Sequence, residues 1–169
     1  VYAWDLSVRT AYLDSERGYF NGTSMFMYVD GFQNQPHYVE IIRPEGEHFL
    51  DWKLATTLSR VDSQQGMKAW DFGEFVAGDY DELVDHPVEM ADFDIIEWDS
   101  HGIPHAMVLT GRYVADLPRL TLDLKIITDY VISFLGKPED LKEYLFMTMV
   151  VGNGYGGLEH RASTSLLAS

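Results

Sequence analysis

Residues 117–136, LPRLTLDLKIITDYVISFLG, decide the fold prediction because they lie between two different patterns. Short alternating segments precede them, and a continuous apolar run with a glycine-rich turn follows them. Asp116 is placed to cap the amino end of a helix ahead of Pro118, and Gly136 to close its carboxyl end. The apolar residues recur at the spacing of an amphipathic helix, namely Leu120, Leu124, Ile127, Val131 and Phe134. The stretch therefore predicts one long helix with a single apolar face.

The sequence before this helix consists of short apolar segments between clusters of turn residues. In residues 2–8, Tyr2, Trp4, Leu6 and Val8 alternate with small or polar residues, which predicts a strand with one face in a core. The Asn21-Gly22 pair predicts a type I′ hairpin turn. Further strands are predicted at residues 24–29, 37–42, 52–58, 93–98 and 105–111. This pattern predicts an antiparallel β-sandwich of two packed sheets.

The sequence after the helix has a different pattern of apolar residues. Residues 144–151, YLFMTMVV, form a continuous apolar run that predicts a buried strand, and a second extended segment follows the glycine-rich turn GNGYGG at residues 152–157. The fold class is therefore mainly β with a C-terminal α/β piece. We predict two domains, an N-terminal β-sandwich at residues 1–115 and an α/β unit that begins at residue 116.

Composition limits the possible partners. The chain has 12 Lys and Arg residues against 27 Asp and Glu residues, which gives a formal net charge of −15. A negative charge of this size opposes the phosphate contacts that nucleic-acid binding needs, so we expect neither nucleic acid nor an anionic membrane as a partner. The chain has no cysteine, which excludes disulfides and thiolate metal ligands within it.

The negative charge is concentrated in residues 71–99, which contain 11 acidic side chains and no Lys or Arg. Asp79, Asp81, Asp85 and Glu89 raise the possibility of a calcium loop, but Val84 stands where an EF-hand loop requires glycine. A solvated acidic surface is the simpler interpretation.

Four blocks of the sequence together resemble one protein family. The block GYGGLEH at residues 154–160, followed by RASTSLL, resembles the start of the catalytic domain of glycyl aminopeptidases, the M61 metallopeptidase family. The other three blocks resemble that family's N-terminal β-domain in the same order: DLSVRTAYLDSERGYFNGTS at 5–24, DWKLATTL at 51–58 and DYDELVDHPVEM at 79–90.

The resemblance implies a zinc-dependent peptidase of gluzincin type, with an N-terminal β-sandwich, a thermolysin-like catalytic domain and often a PDZ domain. It implies that a peptide with a free N-terminus is the substrate and that Glu159 binds its α-amino group. Gly156 and Gly157 would let the substrate backbone approach closely, with His160 beside the carboxylate. A carboxylate facing an ammonium group forms a charge-assisted hydrogen bond, which would explain selectivity for chain ends.

The zinc motif HExxH of such enzymes does not occur in the chain. His101 and His105 have the right separation, but HGIPH contains Gly102 and Pro104, which break a helix, so we interpret it as a turn. We therefore expect no catalytic residue and no metal ligand in these residues. The resemblance implies an internal segment of a longer parent that carries the zinc, with the segment inert alone.

Two further expectations follow from this interpretation. Missing N-terminal strands would leave sheet edges uncovered, so we expect the chain to associate with itself. Any targeting signal would precede residue 1, which leaves the compartment open between the cytoplasm and the periplasm of a bacterium.

A non-catalytic protein is the alternative. A β-sandwich module with a helical appendage could bind peptide or carbohydrate, with the four tryptophans as a stacking platform: Trp4, Trp52, Trp70 and Trp98. Trp4 and Trp52 lie in alternating segments, which also fits a place in the core. A degenerate relative that retains GGLEH without zinc ligands is a third possibility.

Overall fold

The structure is a computed structural model that describes residues 2–61 and 70–169. Among these residues the helices are α1 Gly22–Met25, α2 Tyr80–Val84 and α3 Leu117–Leu135, with a short 3₁₀ turn at Glu47–Phe49. The strands are β1 Ala11–Leu13, β2 Arg17–Phe20, β3 His37–Ile41, β4 Lys53–Ala55, β5 Ser59–Arg60, β6 Gly73–Ala77, β7 Val88–Ala91, β8 Asp94–Ser100, β9 Ile103–Thr110, β10 Tyr144–Val150, β11 Gly156–Glu159 and β12 Ser163–Ala168.

The described strands form three sheets. Sheet I has the order β1-β2-β7-β4, and sheet II has the order β3-β6-β5. Both are antiparallel, as the alternating strands of the sequence predict. Sheet III has the order β11-β12-β10-β9-β8, in which β9, β10 and β12 run parallel while the two edge strands run antiparallel.

Sheets I and II share one apolar core. Phe20, Leu54 and Val88 of sheet I and Ile41 and Phe75 of sheet II belong to a single cluster of buried side chains. Because each strand buries alternate residues, two sheets can cover each other's apolar faces in this way. The fold is thus mainly β, with a sandwich followed by a helix and further strands, which confirms the predicted class.

Helix α3 begins and ends where the sequence predicts. The Asp116 carboxylate accepts a hydrogen bond from the Arg119 amide at 3.1 Å, and Gly136 leaves the helix with φ of 94°. Leu120 and Leu124 pack against Trp98 and its neighbours on sheet III. The rest of the predicted apolar face is exposed, including Phe134 at 75%. The helix therefore covers only part of sheet III.

The other face of sheet III packs on sheet I. Ala55 and Ala91 of sheet I meet Val108, Leu145 and Met147 of sheet III in one buried cluster. The contact between sheets I and III, called the seam below, also contains polar groups. The Tyr19 hydroxyl donates to the Ser165 hydroxyl at 2.8 Å, and the Thr110 hydroxyl donates to the fully buried Glu89 carboxylate. Sheet III is therefore held firmly against the sandwich.

The predicted hairpin at Asn21-Gly22 is wrong, and so is the strand predicted at 24–29. The Asn21 side chain accepts a hydrogen bond from the Thr23 amide at 3.1 Å and caps α1. A Cβ at Gly22 would lie 2.7 Å from the Cα of Val84, so glycine is required there by close packing on α2. Capping and helix–helix contact thus replace the turn that the dipeptide predicts.

The strand predicted at residues 2–8 is also wrong. Only Trp4 makes an isolated bridge, to Tyr12, and its ring stacks on the Tyr12 ring at 5.6 Å while remaining 64% exposed. Trp52 is buried at 3% exposure, as predicted. The strands predicted near 37–42, 93–98, 105–111 and 144–151 are confirmed as β3, β8, β9 and β10, whereas β4 covers only part of 52–58.

The domain division at residue 115 stays a prediction. Sheet III draws strands from both sides of that residue, because β8 and β9 precede it while β10, β11 and β12 follow it. The passage from sheet I to sheet III lies between β7 and β8. None of the helices in the described part of the chain is long and apolar enough to cross a membrane.

Candidate functional site

The glycine-rich strand β11 lies at the edge of sheet III. It pairs antiparallel with β12, with Gly156 opposite Leu167 and Glu159 opposite Thr164. An edge strand presents backbone N–H and C=O groups on its outer side to an incoming chain. The structure therefore places Gly156, Gly157 and Glu159 on one accessible strand, which is the arrangement expected for holding an extended peptide.

Packing inside the fold does not require glycine at the first two positions of this strand. A Cβ on Gly156 would lie 3.5 Å from the Val8 side chain, and one on Gly157 would lie 3.6 Å from the Leu166 side chain. Both are ordinary van der Waals distances. The internal packing therefore does not explain the two glycines, and they leave the backbone of this edge strand uncovered by side chains.

Glu159 is the last residue of β11, and its side chain is exposed. Within the described residues, its carboxylate has neither a hydrogen bond nor an ion pair with another side chain. The pKa of the Tyr144 phenol is raised, first by burial and then by the nearby charge of Glu159. This carboxylate is thus free to bind a cation and lies beside Tyr144 at the start of β10.

His160 is turned away from Glu159. Its side chain is only 6% exposed, and its Nδ1 lies 3.5 Å from Oδ1 of Asp85. Its Nε2 is buried without a hydrogen-bond partner in the described residues. The predicted site residues are therefore separated, with Glu159 facing solvent and His160 enclosed against the sandwich.

A row of rings continues from Tyr144 across the same end of sheet III. The Tyr144 ring centroid lies 6.0 Å from that of His105, and His105 stacks on Trp98 at 5.5 Å. The Trp98 indole donates to the Thr128 hydroxyl of α3 at 3.0 Å. These packed rings lie next to the Glu159 end of the sheet, and no periodicity in the sequence predicts their contact.

A cavity of about 790 Å³ opens at this end of the sheet, between sheet III and the sandwich. Its walls include Tyr144, His105, Glu143 and His86. Burial raises the pKa of the Glu143 carboxyl, and burial lowers the pKa of His86, whose Nδ1 lies 2.7 Å from the Thr57 hydroxyl. Glu159 itself lies outside this cavity.

The residues described do not form a metal site. No group of three or more His, Asp or Glu side chains among residues 2–61 and 70–169 is placed to hold an ion. The turn predicted for HGIPH is confined to His101 and Gly102, between β8 and β9, where His101 has φ of 54°. The other three residues begin β9, and His105 is buried there. Zinc does not fit these side chains, and no chemical step of this chain is assigned to it.

The acidic residues weighed as a calcium loop serve separate purposes. Asp79 caps α2 by accepting from the Glu82 amide at 2.7 Å, Glu89 is buried in the seam, and Asp85 contacts the turn after β11. Sequence reasoning missed Asp85 and Tyr144 as neighbours of the β11 region, because each is brought there by contacts between distant segments.

Comparison with known proteins gives a family and a number of similar solved structures, of which two are described. The family model described as Peptidase M61 N-terminal domain matches residues 1–92. The crystal structure of an aminopeptidase N family protein from Idiomarina loihiensis is 44% identical with a TM-score of 0.90, and the match covers 99% of this chain. An M1 zinc metallopeptidase from Deinococcus radiodurans is 10% identical with a TM-score of 0.48 over 94% of this chain.

These matches differ in extent. The chain spans only 28% of the length of the Idiomarina protein and 37% of the Deinococcus protein. A search of curated proteins found no match. The Idiomarina match extends across all three sheets, and the family model ends next to the passage from sheet I to sheet III.

Proposed function

Because the chain belongs to the M61 peptidase family, we propose that it supplies the substrate-amine-binding strand of an aminopeptidase. The substrate is a peptide with a free N-terminus, laid along the outer edge of β11. The observation that carries this proposal is the exposed Glu159 carboxylate at the end of a glycine-containing edge strand. A peptide ammonium group placed there would form a charge-assisted hydrogen bond with it.

The contribution of this chain is binding and positioning. Backbone groups of Gly156 and Gly157 hold the peptide main chain, and Glu159 fixes the position of its first residue. A blocked amine leaves the carboxylate without its partner and brings a bulky acyl group to the same place, so acylated peptides are poor substrates. Preference for glycine and alanine at the cleaved position is part of this proposal.

We assign the chemical step to residues of the whole protein that lie outside these 169 residues. Zinc is proposed for the whole protein on the family resemblance, with its ligands outside this chain. The 169 residues alone bind the amine without hydrolysing the peptide. The domain boundary is proposed near residue 92, where sheet I gives way to sheet III, instead of at 115.

The test uses the full-length natural protein with glycyl-p-nitroanilide and N-acetylglycyl-p-nitroanilide. We expect Glu159→Gln to lower kcat/KM for the free-amine substrate by about 10- to 100-fold, the loss expected for a hydrogen bond to a charged group. Glu97→Gln is the matched control, since Glu97 is an exposed glutamate on β8, the opposite edge of sheet III. Equal activity of Glu159→Gln and the unaltered protein would contradict the proposal.

The carbohydrate-binding alternative loses its physical basis. Trp52 is 3% and Trp98 is 8% exposed, so the four tryptophans do not form one stacking surface. A peptide-binding protein without catalysis is distinguished in the same experiment, because it would bind free-amine peptides and release no nitroaniline.

A further inference from the structure

The turn that follows Glu159 is held by the side chain of Asp85, which lies 76 residues earlier in the sequence than Arg161. The Arg161 amide donates a hydrogen bond to Oδ2 of Asp85 at 3.1 Å, and the Arg161 Nε lies 3.8 Å from the same oxygen. The second oxygen of Asp85 lies 3.5 Å from Nδ1 of His160. One carboxylate thus contacts the first two residues of the three-residue turn between β11 and β12.

The turn is closed on its other side by the backbone. The His160 amide donates to the Ser163 carbonyl at 2.8 Å, which joins β11 to β12. Leu158, just before Glu159, packs on Val8 and Tyr19. Glu159 is therefore flanked by an apolar anchor before it and the Asp85 contacts after it.

Asp85 lies at the C-terminal end of helix α2, and hydrogen bonds hold both ends of this helix. It is the C-terminal cap residue of α2, and its amide donates to the Glu82 carbonyl. At the other end of α2, Asp79 accepts from the Glu82 amide at 2.7 Å while the Glu82 carboxylate accepts from the Gly78 amide at 2.6 Å. The Asp79 cap and the contact of Glu82 with the residue before it together fix where the helix begins.

We propose that Asp85 is a positioning residue for Glu159 in amine recognition. This inference rests on the proposed function. A carboxylate that must meet an ammonium group needs its backbone held to within about half an ångström, and the supporting contacts decide that precision. Asp85 provides them from the part of the chain matched by the N-terminal family model, so the sandwich takes part in substrate selection.

The experiment measures KM and kcat of the full-length natural protein with glycyl-p-nitroanilide. Asp85→Ala removes every contact with the turn, whereas Asp85→Asn keeps an oxygen that can accept from the Arg161 amide and loses the charge. Asp81→Asn is the matched control, since Asp81 is an exposed carboxylate one turn earlier in α2. Glu159→Gln and the double variant Asp85→Ala/Glu159→Gln complete a thermodynamic cycle.

We expect Asp85→Ala to raise KM about tenfold with a smaller change in kcat, because the lost precision weakens binding of the amine. Asp85→Asn should fall between Asp85→Ala and the unaltered protein, and Asp81→Asn should match the latter. In the Glu159→Gln background, Asp85→Ala should cause no further loss. A merely structural role would instead lower activity by the same factor in both backgrounds.

The outcomes separate the two proposals. If Glu159→Gln abolishes the preference for free amines while Asp85→Ala leaves KM unchanged or acts additively, the positioning role is overturned and the proposed function stands. If Glu159→Gln has no effect, the amine-binding function fails and the role of Asp85 fails with it. Should Asp85→Ala not fold, the comparison of Asp85→Asn with Asp81→Asn decides the matter by the same KM criterion.

Discussion

Glu159 and His160 are neighbours in sequence, but their side chains lie on opposite sides of the edge strand. Glu159 is exposed at the end of β11, whereas His160 is 6% exposed and lies against Asp85. Consecutive residues of an extended chain point to opposite faces, so a motif that contains both need not use both for the same purpose. In this chain the glutamate is available to a ligand and the histidine belongs to the support of the strand.

A substitution at Gly157 of β11 should change the binding of peptide substrates and leave the stability of the fold almost unchanged. Gly157→Ala adds a methyl group that meets Leu166 at 3.6 Å, so we expect the fold to tolerate it, with a change in Tm of no more than about 3 °C. The same methyl group would hinder an extended peptide on the strand and raise KM for peptide substrates about tenfold. Enzyme kinetics and thermal unfolding of the same preparation check this.

Gly152→Ala is the control for that variant. No heavy atom outside its chain neighbours lies within 4 Å of a Cβ at Gly152, which precedes the strand. Its KM and Tm should both equal those of the unaltered protein. Unchanged KM in Gly157→Ala would show that the peptide does not pass along β11.

Glu89 makes stability depend on pH. Burial raises the pKa of its carboxyl to about 7, although the Thr110 hydroxyl and the charge of Arg17 act to lower it. Because the folded state keeps the proton more tightly than the unfolded state, the stabilisation is full below pH 4.5 and is lost as pH rises through 7. Between pH 5 and 8 we expect a loss of about 1–3 kcal/mol in the free energy of unfolding.

Glu89→Gln tests this assignment, since glutamine has the same shape and does not titrate. Urea unfolding of the chain, followed by tryptophan fluorescence at several pH values, should show a shallower decline for the variant than for the unaltered chain. Parallel pH profiles for the two proteins would exclude Glu89 as the source of the decline.

Gly111 stabilises the contact between β9 and β10 by lacking a side chain. Its φ is 100°, and a Cβ there would collide with the Val150 carbonyl and lie 3.0 Å from Nη2 of Arg17. We expect Gly111→Ala to lower the free energy of unfolding by about 2–4 kcal/mol. Urea unfolding gives the value.

Gly111→Ala combines backbone strain at a positive φ with a steric collision, and Gly136→Ala measures the backbone strain alone. Gly136 has a similar φ of 94°, but nothing lies within 4 Å of its Cβ position. It should therefore lose only the backbone contribution, about 1 kcal/mol. Equal losses in the two variants would mean that the collision with Val150 is relieved at no cost.

The 169-residue chain alone should associate with itself. We predict this from sheet edges that missing N-terminal strands would leave uncovered, and the structure adds an apolar surface on α3, where Ile126, Tyr130 and Phe134 are 66%, 69% and 75% exposed. We expect a dimer or larger assembly by light scattering at micromolar concentration. Ile126→Asp with Phe134→Asp should yield monomers, whereas an unaltered assembly in that variant would assign the contact to the sheet edges.

Local sequence determined the elements whose signals lie within a few residues. Helix α3 follows from its apolar spacing, the Asp116 cap and Gly136, and β3, β8, β9 and β10 follow from their short apolar runs, since periodicity and capping act between near neighbours. The same local rules failed at Asn21-Gly22, where packing of Gly22 on Val84 replaced the turn that the dipeptide favours in isolation.

The motif GGLEH and the blocks around it likewise identified the family from sequence, and Glu159 as the carboxylate to consider. Only the tertiary structure decided that β11 is an edge strand, that Asp85 supports the turn after it, and that Glu89 is buried in the seam. Arg161 and Asp85 are 76 residues apart. Which sheets meet, and which charges they enclose, depends on how whole faces pack together, and that arrangement is not encoded in any one segment.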